Sequence, residues 1–282
     1  MRSLIIGLLC TAAAFAADAT LDGTKIHYES YGKGKEALVF VHGWTCDLTF
    51  WRGQAPLYEK HRSLLIDLPG HGQSGKPETA YTMDLFARSI DAVMRDAGVD
   101  RATLIGHSMG VPVIYTFFRL FPAKTTGLVL VDGAIPQSYK DEAARENQRK
   151  QMAGFLASFK APNGDTVRAG MVNTMFSAKT TPAMREEIRS KMLAAPAHVA
   201  ASAMDGMFGA EGPGAGQTFD LPITAIVVAN PARAAWEPRL RSVFPKLYKY
   251  DAWEGSGHFL MMESPDRFNA ALEEFIGTIK RK

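Results

Sequence analysis

The chain has 282 residues, with 32 Lys and Arg against 29 Asp and Glu, for a formal charge of +3. Its basic residues are scattered apart from Lys280-Arg281-Lys282 at the C-terminal end, which argues against a nucleic-acid-binding surface. At 46% hydrophobic and 22% charged, the composition excludes a disordered chain and suits one large domain, or one domain with an insertion.

At the N-terminus, Arg2 precedes an apolar run over 4–10 and an Ala-rich stretch ending near Ala14-Phe15-Ala16. A positive region, a short apolar region and small residues before a cleavage point predict a signal peptide over 1–17. The apolar part is too short for a permanent membrane span. Leu9 before Cys10 does not fit a lipoprotein acylation site. The expectation is therefore a periplasmic or extracellular protein with no stable membrane insertion. Removal of the leader would leave Cys46 as a single cysteine, so no internal disulfide is expected.

Residues 19–21 and 25–31, joined by Asp22-Gly23, carry a hairpin signal. Continuous apolar runs at 37–41, 63–67, 102–105, 127–132 and 223–229 predict strands buried on both faces. A less apolar run at 246–253 predicts a strand nearer an edge. Helical spacing appears at 83–97, 108–121 and 265–279. This alternation implies an α/β fold with a mostly parallel, doubly wound sheet. The alternation breaks over 135–219, where patterns at 143–159, 166–176 and 183–193 are all helical and a Gly-rich segment follows at 206–216. An all-helical insertion between strands reads as a cap over the C-terminal ends of the sheet, where such sheets bind ligands. The expected division is a first core part over 18–134, a helical cap over 135–219 and a second core part over 220–282.

Gly106-His107-Ser108-Met109-Gly110 lies between a strand and a helix. In that context G-x-S-x-G lifts a serine onto a sharp bend with its hydroxyl exposed, and Ser108 becomes the nucleophile candidate. A serine needs a base, and His258 follows the last strand on a loop at the same end of the sheet. A carboxylate must orient that imidazole. The loop after the fifth parallel strand has no Asp or Glu before Glu237, whereas Asp132 ends the strand beside the one carrying Ser108. Asp132 is the choice and Glu237 the alternative. The oxyanion donors are expected from the N–H of Met109 and of Trp44 in Val41-His42-Gly43-Trp44. The Trp44 ring is expected either in the pocket or against Phe50 or Trp51.

These motifs, with Asp67-Leu68-Pro69-Gly70-His71-Gly72-Gln73-Ser74-Gly75 and Gly257-His258-Phe259, occur in an order and at spacings that resemble the α/β-hydrolase superfamily. The resemblance is to its capped branch and covers nearly all of the chain after the leader. It implies a Ser-His-acid triad and gives His71 a scaffold role. The family's usual acid after the seventh strand is missing here. Some capped members carry the acid after the sixth strand, and Asp132 matches that position.

The leading expectation is a carboxylic ester hydrolase working through an acyl-enzyme, with no metal or organic cofactor. A serine nucleophile argues against the dehalogenase and epoxide-hydrolase members, which use aspartate. Lactone, thioester, C–C and amide hydrolysis and perhydrolysis stay open, as does a ligand-binding protein with little turnover. Met and Phe residues of the insertion would suit an apolar acyl or aryl ester, although such residues at helical spacing usually form a helical layer's own core.

Overall fold

The computed structural model describes residues 15–139 and 141–279. The expected signal segment therefore lies mostly outside the described residues. The strands are β1 (Phe15–Leu21), β2 (Thr24–Tyr31), β3 (Glu36–Val41), β4 (Ser63–Ile66), β5 (Arg101–His107), β6 (Thr125–Val131), β7 (Ile223–Val228) and β8 (Leu247–Trp253). They form one eight-stranded sheet in the order β1-β2-β4-β3-β5-β6-β7-β8. β1 and β2 form the hairpin, β2 is antiparallel to β4, and the remaining pairs are parallel. β8 is an edge strand, as its mixed composition suggests: its two ends are buried and its middle is partly exposed.

The helices are α1 (Ala55–Tyr58), α2 (Met83–Asp96), α3 (Gly110–Leu120), α4 (Glu142–Ser158), α5 (Gly164–Asn173), α6 (Pro182–Leu193), α7 (Ala197–Phe208), α8 (Trp236–Val243), α9 (Leu260–Glu263) and α10 (Pro265–Ile279). α2 starts where Thr82 accepts the N–H of Leu85, which satisfies one otherwise unpaired donor. It packs on α3 and β1, while α10 packs near β6 and the turn Leu48–Gln54. The buried Trp51 ring lies 5.4 Å from Phe40 of β3 and 6.1 Å from Phe268 of α10, fastening that turn between sheet and helix.

Helices α4 to α7 all lie between β6 and β7. α7 was not separated from the Gly-rich stretch by sequence pattern: Gly206 sits inside it, and its apolar residues Val199, Ala200, Ala203 and Met204 are buried. A small-residue helix gives a weak periodic signal because alanine suits either face. Helix α3 begins at Gly110, so Ser108 stands on the bend before the helix.

Parallel register brings the strand ends together. His107 pairs with Val131 across β5 and β6, so Ser108 and Asp132 each lie one residue past a matched pair. Val41 pairs with Gly106 across β3 and β5, setting the loop after β3 beside the same bend.

Candidate active site

Ser108 has φ of +54°, in the left-handed region that non-glycine residues seldom occupy. The bend is this tight because its flanking residues lack a Cβ. One on Gly106 would lie 2.4 Å from the Gly110 carbonyl oxygen, and one on Gly110 would lie 2.5 Å from that of Val41. The Ser108 N–H donates to the Val131 carbonyl at 2.8 Å, tying the bend to β6. Asp132 also has a positive φ, +43°, and Thr45 in the loop after β3 has +54°. Among the described residues with positive φ that are not glycine, these three each follow a strand of the parallel sheet, β5, β6 or β3. Such backbone strain persists only where packing over-determines it.

The Asp132 side chain is 1% exposed. Its Oδ2 accepts from His258 Nδ1 at 2.5 Å, and its Oδ1 accepts from the Val228 N–H at 2.9 Å and from Arg233 Nη1. Burial opposes the charged carboxylate. The His258 hydrogen bond, the charges of His258 and Arg233, and the Val228 N–H outweigh it and bring the carboxyl down to about 2. An ionised carboxylate only accepts hydrogen bonds, so His258 Nδ1 carries the proton and the lone pair sits on Nε2. Glu237 is held elsewhere: it lies in the first turn of α8 and is bound by Arg241 of the same helix at 2.7 Å. The structure therefore sets Asp132, and not Glu237, against His258.

His107 lies with its ring 4.7 Å from that of His258, and its Nε2 donates to the His258 carbonyl at 2.8 Å. Burial, helped by the nearby His258, pushes the His107 imidazole down to about 3. It stays neutral near pH 7 and adds no positive charge beside His258. His42 Nδ1 donates to the Gly43 carbonyl at 2.8 Å, and its Nε2 accepts from the Leu68 N–H at 3.0 Å, which braces the loop that follows β3. Burial also lowers the His42 pKa, in keeping with this neutral tautomer. Among the described residues, the backbone N–H groups of Trp44 and Met109 make no hydrogen bond. Among the described residues, the Trp44 ring makes no aromatic ring pair with Phe50 or Trp51. Its Nε1 donates to the Ala200 carbonyl at 2.8 Å, and its ring centre lies 5.5 Å from that of Phe159. His71 is buried, bonded to the Pro69 carbonyl, and pushed by burial down to about 3.

Ser108, His258 and Trp44 line one cavity of about 180 Å³. Its remaining wall is nearly all apolar and sulfur-rich: Cys46, Phe155, Met171, Met175, Met192, Met204, Met207, Phe208 and Phe259. Met192 and Met204 are core residues and cavity wall at once, so lining and helical core are the same side chains here. Burial raises the Cys46 thiol well above its usual range, leaving a neutral, apolar lining group.

The His258 loop is clamped to the segment joining α5 and α6. The His258 N–H donates to the Met175 carbonyl at 2.9 Å. The Glu263 carboxylate accepts from the Gly257 N–H at 2.7 Å, from Ser177 Oγ at 2.8 Å, and from Thr180 Oγ1. Neither Glu263 nor Arg233 was found by sequence pattern. Arg233 lies in the loop after β7, and the signal there is a cation among small residues, in Asn230-Pro231-Ala232-Arg233-Ala234.

Residues 36–211 match the family model described as alpha/beta hydrolase fold. The chain is 25% identical over 277 residues to the dihydrolipoyllysine-residue acetyltransferase component of an acetoin cleaving system from Cupriavidus necator, covering 94% of this chain and 70% of that protein. The match to the corresponding Pseudomonas putida protein spans 46% of that protein's length. Among solved structures, a thermophilic esterase from Thermogutta terrifontis superposes with a TM-score of 0.79 at 24% identity, covering 95% of this chain and 99% of that one. Est816, described as an N-acyl homoserine lactone degrading enzyme, gives 0.76 at 24% identity, with coverages of 92% and 100%.

Proposed function

Because the chain belongs to the α/β-hydrolase superfamily, we propose that it is a serine hydrolase that cleaves carboxylic esters through an acyl-enzyme. The observation that carries this reading is the Asp132–His258 hydrogen bond of 2.5 Å behind an imidazole that shares one cavity with Ser108. In the proposed cycle His258 Nε2 takes the Ser108 hydroxyl proton as Oγ bonds to the ester carbonyl carbon. The carbonyl oxygen, now negative, is received by the Trp44 and Met109 N–H groups. His258 then returns the proton to the departing alcohol, leaving Ser108 acylated. Water, deprotonated by His258, attacks the acyl carbon and releases the acid. Asp132 keeps Nδ1 protonated throughout and stabilises the imidazolium.

Helices α4 to α7 act in this proposal as a cap over the nucleophile. Their Met and Phe side chains give the substrate an uncharged, pliable wall, since methionine is unbranched and polarizable. Among the described residues, no Lys, Arg, Asp or Glu lines the cavity, which favours a neutral substrate with a small to medium apolar acyl or aryl group. Lactones share the carbonyl chemistry and belong in the same assay. The protein is also proposed to be exported. β1 is paired from Phe15, and a cut after Ala17 would retain its pairing from Asp18↔His27 onward.

A panel of chromogenic esters and lactones run on wild type and Ser108→Ala tests the reading. Turnover on at least one neutral ester, lost in Ser108→Ala, is expected. Turnover that survives the substitution would refute the mechanism, and no turnover by wild type would favour a binding protein. N-terminal sequencing of the exported protein should begin between about residues 17 and 20, as a signal-peptidase cut requires; an intact Met1 would refute export.

A further inference from the structure

Arg233 is a cation placed directly on the carboxylate that holds the proposed base. It ends a short turn, Pro231–Arg233, that follows β7 and is capped by Asn230. Its guanidinium carbon lies 4.6 Å from the Trp236 ring centre, which fixes the side chain's course. It reaches Oδ1 of Asp132, the oxygen opposite the one that binds His258. We infer that Arg233 is a positioning residue: its guanidinium partly neutralises Asp132 and so limits how firmly the carboxylate holds a proton on His258. The inference rests on the serine-hydrolase reading and extends it to the pH range in which the base is free to act.

Two effects carry it, and they have the same sign. A cation on Oδ1 draws charge away from the oxygen that faces the imidazole. It also repels a positive imidazolium across a partly buried site, since the Arg233 side chain is 25% exposed and that of Asp132 is 1% exposed. The other ionisable groups around the pair do not supply this charge. His107 is neutral. Tyr250 of β8 has its phenol pKa raised by burial. Glu237 is paired with Arg241. Lys179 and Glu263 meet the histidine loop at Ser256 and Gly257, away from Asp132. Among the described residues, Arg233 is the one Lys or Arg side chain bonded to Asp132.

The test compares Arg233→Gln, Arg233→Met and Arg233→Lys in the full chain. Two quantities are followed: the pH dependence of kcat/KM on p-nitrophenyl acetate, and the His258 ring titration by NMR. Both neutral variants should move the acid limb and the ring titration to higher pH by about 0.5 to 1 unit, while Lys stays close to wild type. A neutral variant that superimposes on wild type, or a Lys variant shifted as far as Gln, would overturn the inference. A purely structural role would lower kcat with the limb in place. If Ser108→Ala leaves turnover intact, the serine-hydrolase reading falls, and the ring titration still decides whether Arg233 acts on His258.

Discussion

Replacing Asp132 with Asn keeps the shape of the site and changes which atom donates. In the native site Oδ1 receives two donors, the Val228 N–H at 2.9 Å and Arg233 Nη1, while Oδ2 receives His258 Nδ1–H at 2.5 Å. An asparagine has one acceptor oxygen. Facing it toward Val228 and Arg233 satisfies two donors and turns the NH₂ toward His258. Nδ1 must then accept, so the imidazole proton moves to Nε2, the atom that should receive the Ser108 proton. The reverse orientation sets NH₂ against two donors at a side chain 1% exposed, which leaves both donors without their acceptor. The wrong tautomer is thus preferred, and loss of the base should lower kcat by about 10³ to 10⁴, equivalent to about 4 to 5.5 kcal/mol of barrier. Initial-rate measurements on p-nitrophenyl acetate at a pH above the acid limb give the number. Glu237→Gln, which removes only an exposed contact to Arg241, should stay within about twofold, as surface pairs contribute little. Asp132→Asn retaining more than about a tenth of wild-type kcat, or Glu237→Gln being the more damaging change, would refute the assignment.

Ser108→Gly should abolish turnover and yet raise stability by about 1 kcal/mol, because glycine adopts φ of +54° without strain; denaturant melts check this. Acid unfolding should report Asp132. Its folded pKa, about 2, lies below the reference 3.8, so its stabilising contribution is complete above about pH 4 and lost as pH falls through 2. Wild type should therefore lose about 2 kcal/mol more than Asp132→Asn over that window, and parallel curves would contradict it. Met207→Trp would fill part of the 180 Å³ cavity, raising KM for hexanoate over acetate esters by about tenfold. Glu263→Ala should destabilise the fold by about 1 to 3 kcal/mol, since it strips acceptors from Gly257, Ser177 and Thr180.

The parallel strands were legible because a strand buried on both faces must be apolar over most of its length, and 37–41, 102–105 and 127–132 are such runs. Sheet order was not, since it depends on crossovers that no local pattern records. Ser108 and His258 could be named because nucleophile elbows and late histidines carry local signatures. Asp132 could be named from its place at the end of the strand beside the one carrying Ser108, once the loop after the next strand offered no carboxylate before Glu237. The ring partners of Trp44 could not, because Phe159 and Ala200 lie more than a hundred residues away in sequence. Arg233 and Glu263 were invisible for the same reason: each acts on a residue from another part of the chain, and neither sits in a recurring spacing.

The central claim is that Ser108 is a nucleophile made reactive by His258. The most direct measurement is treatment of the whole protein with a fluorophosphonate, followed by mass mapping of the adduct. One adduct is expected, on the peptide containing Ser108, absent in Ser108→Ala and slowed at least about a thousandfold in His258→Ala. An adduct on another residue, or labelling of Ser108 at the same rate without His258, would contradict the account.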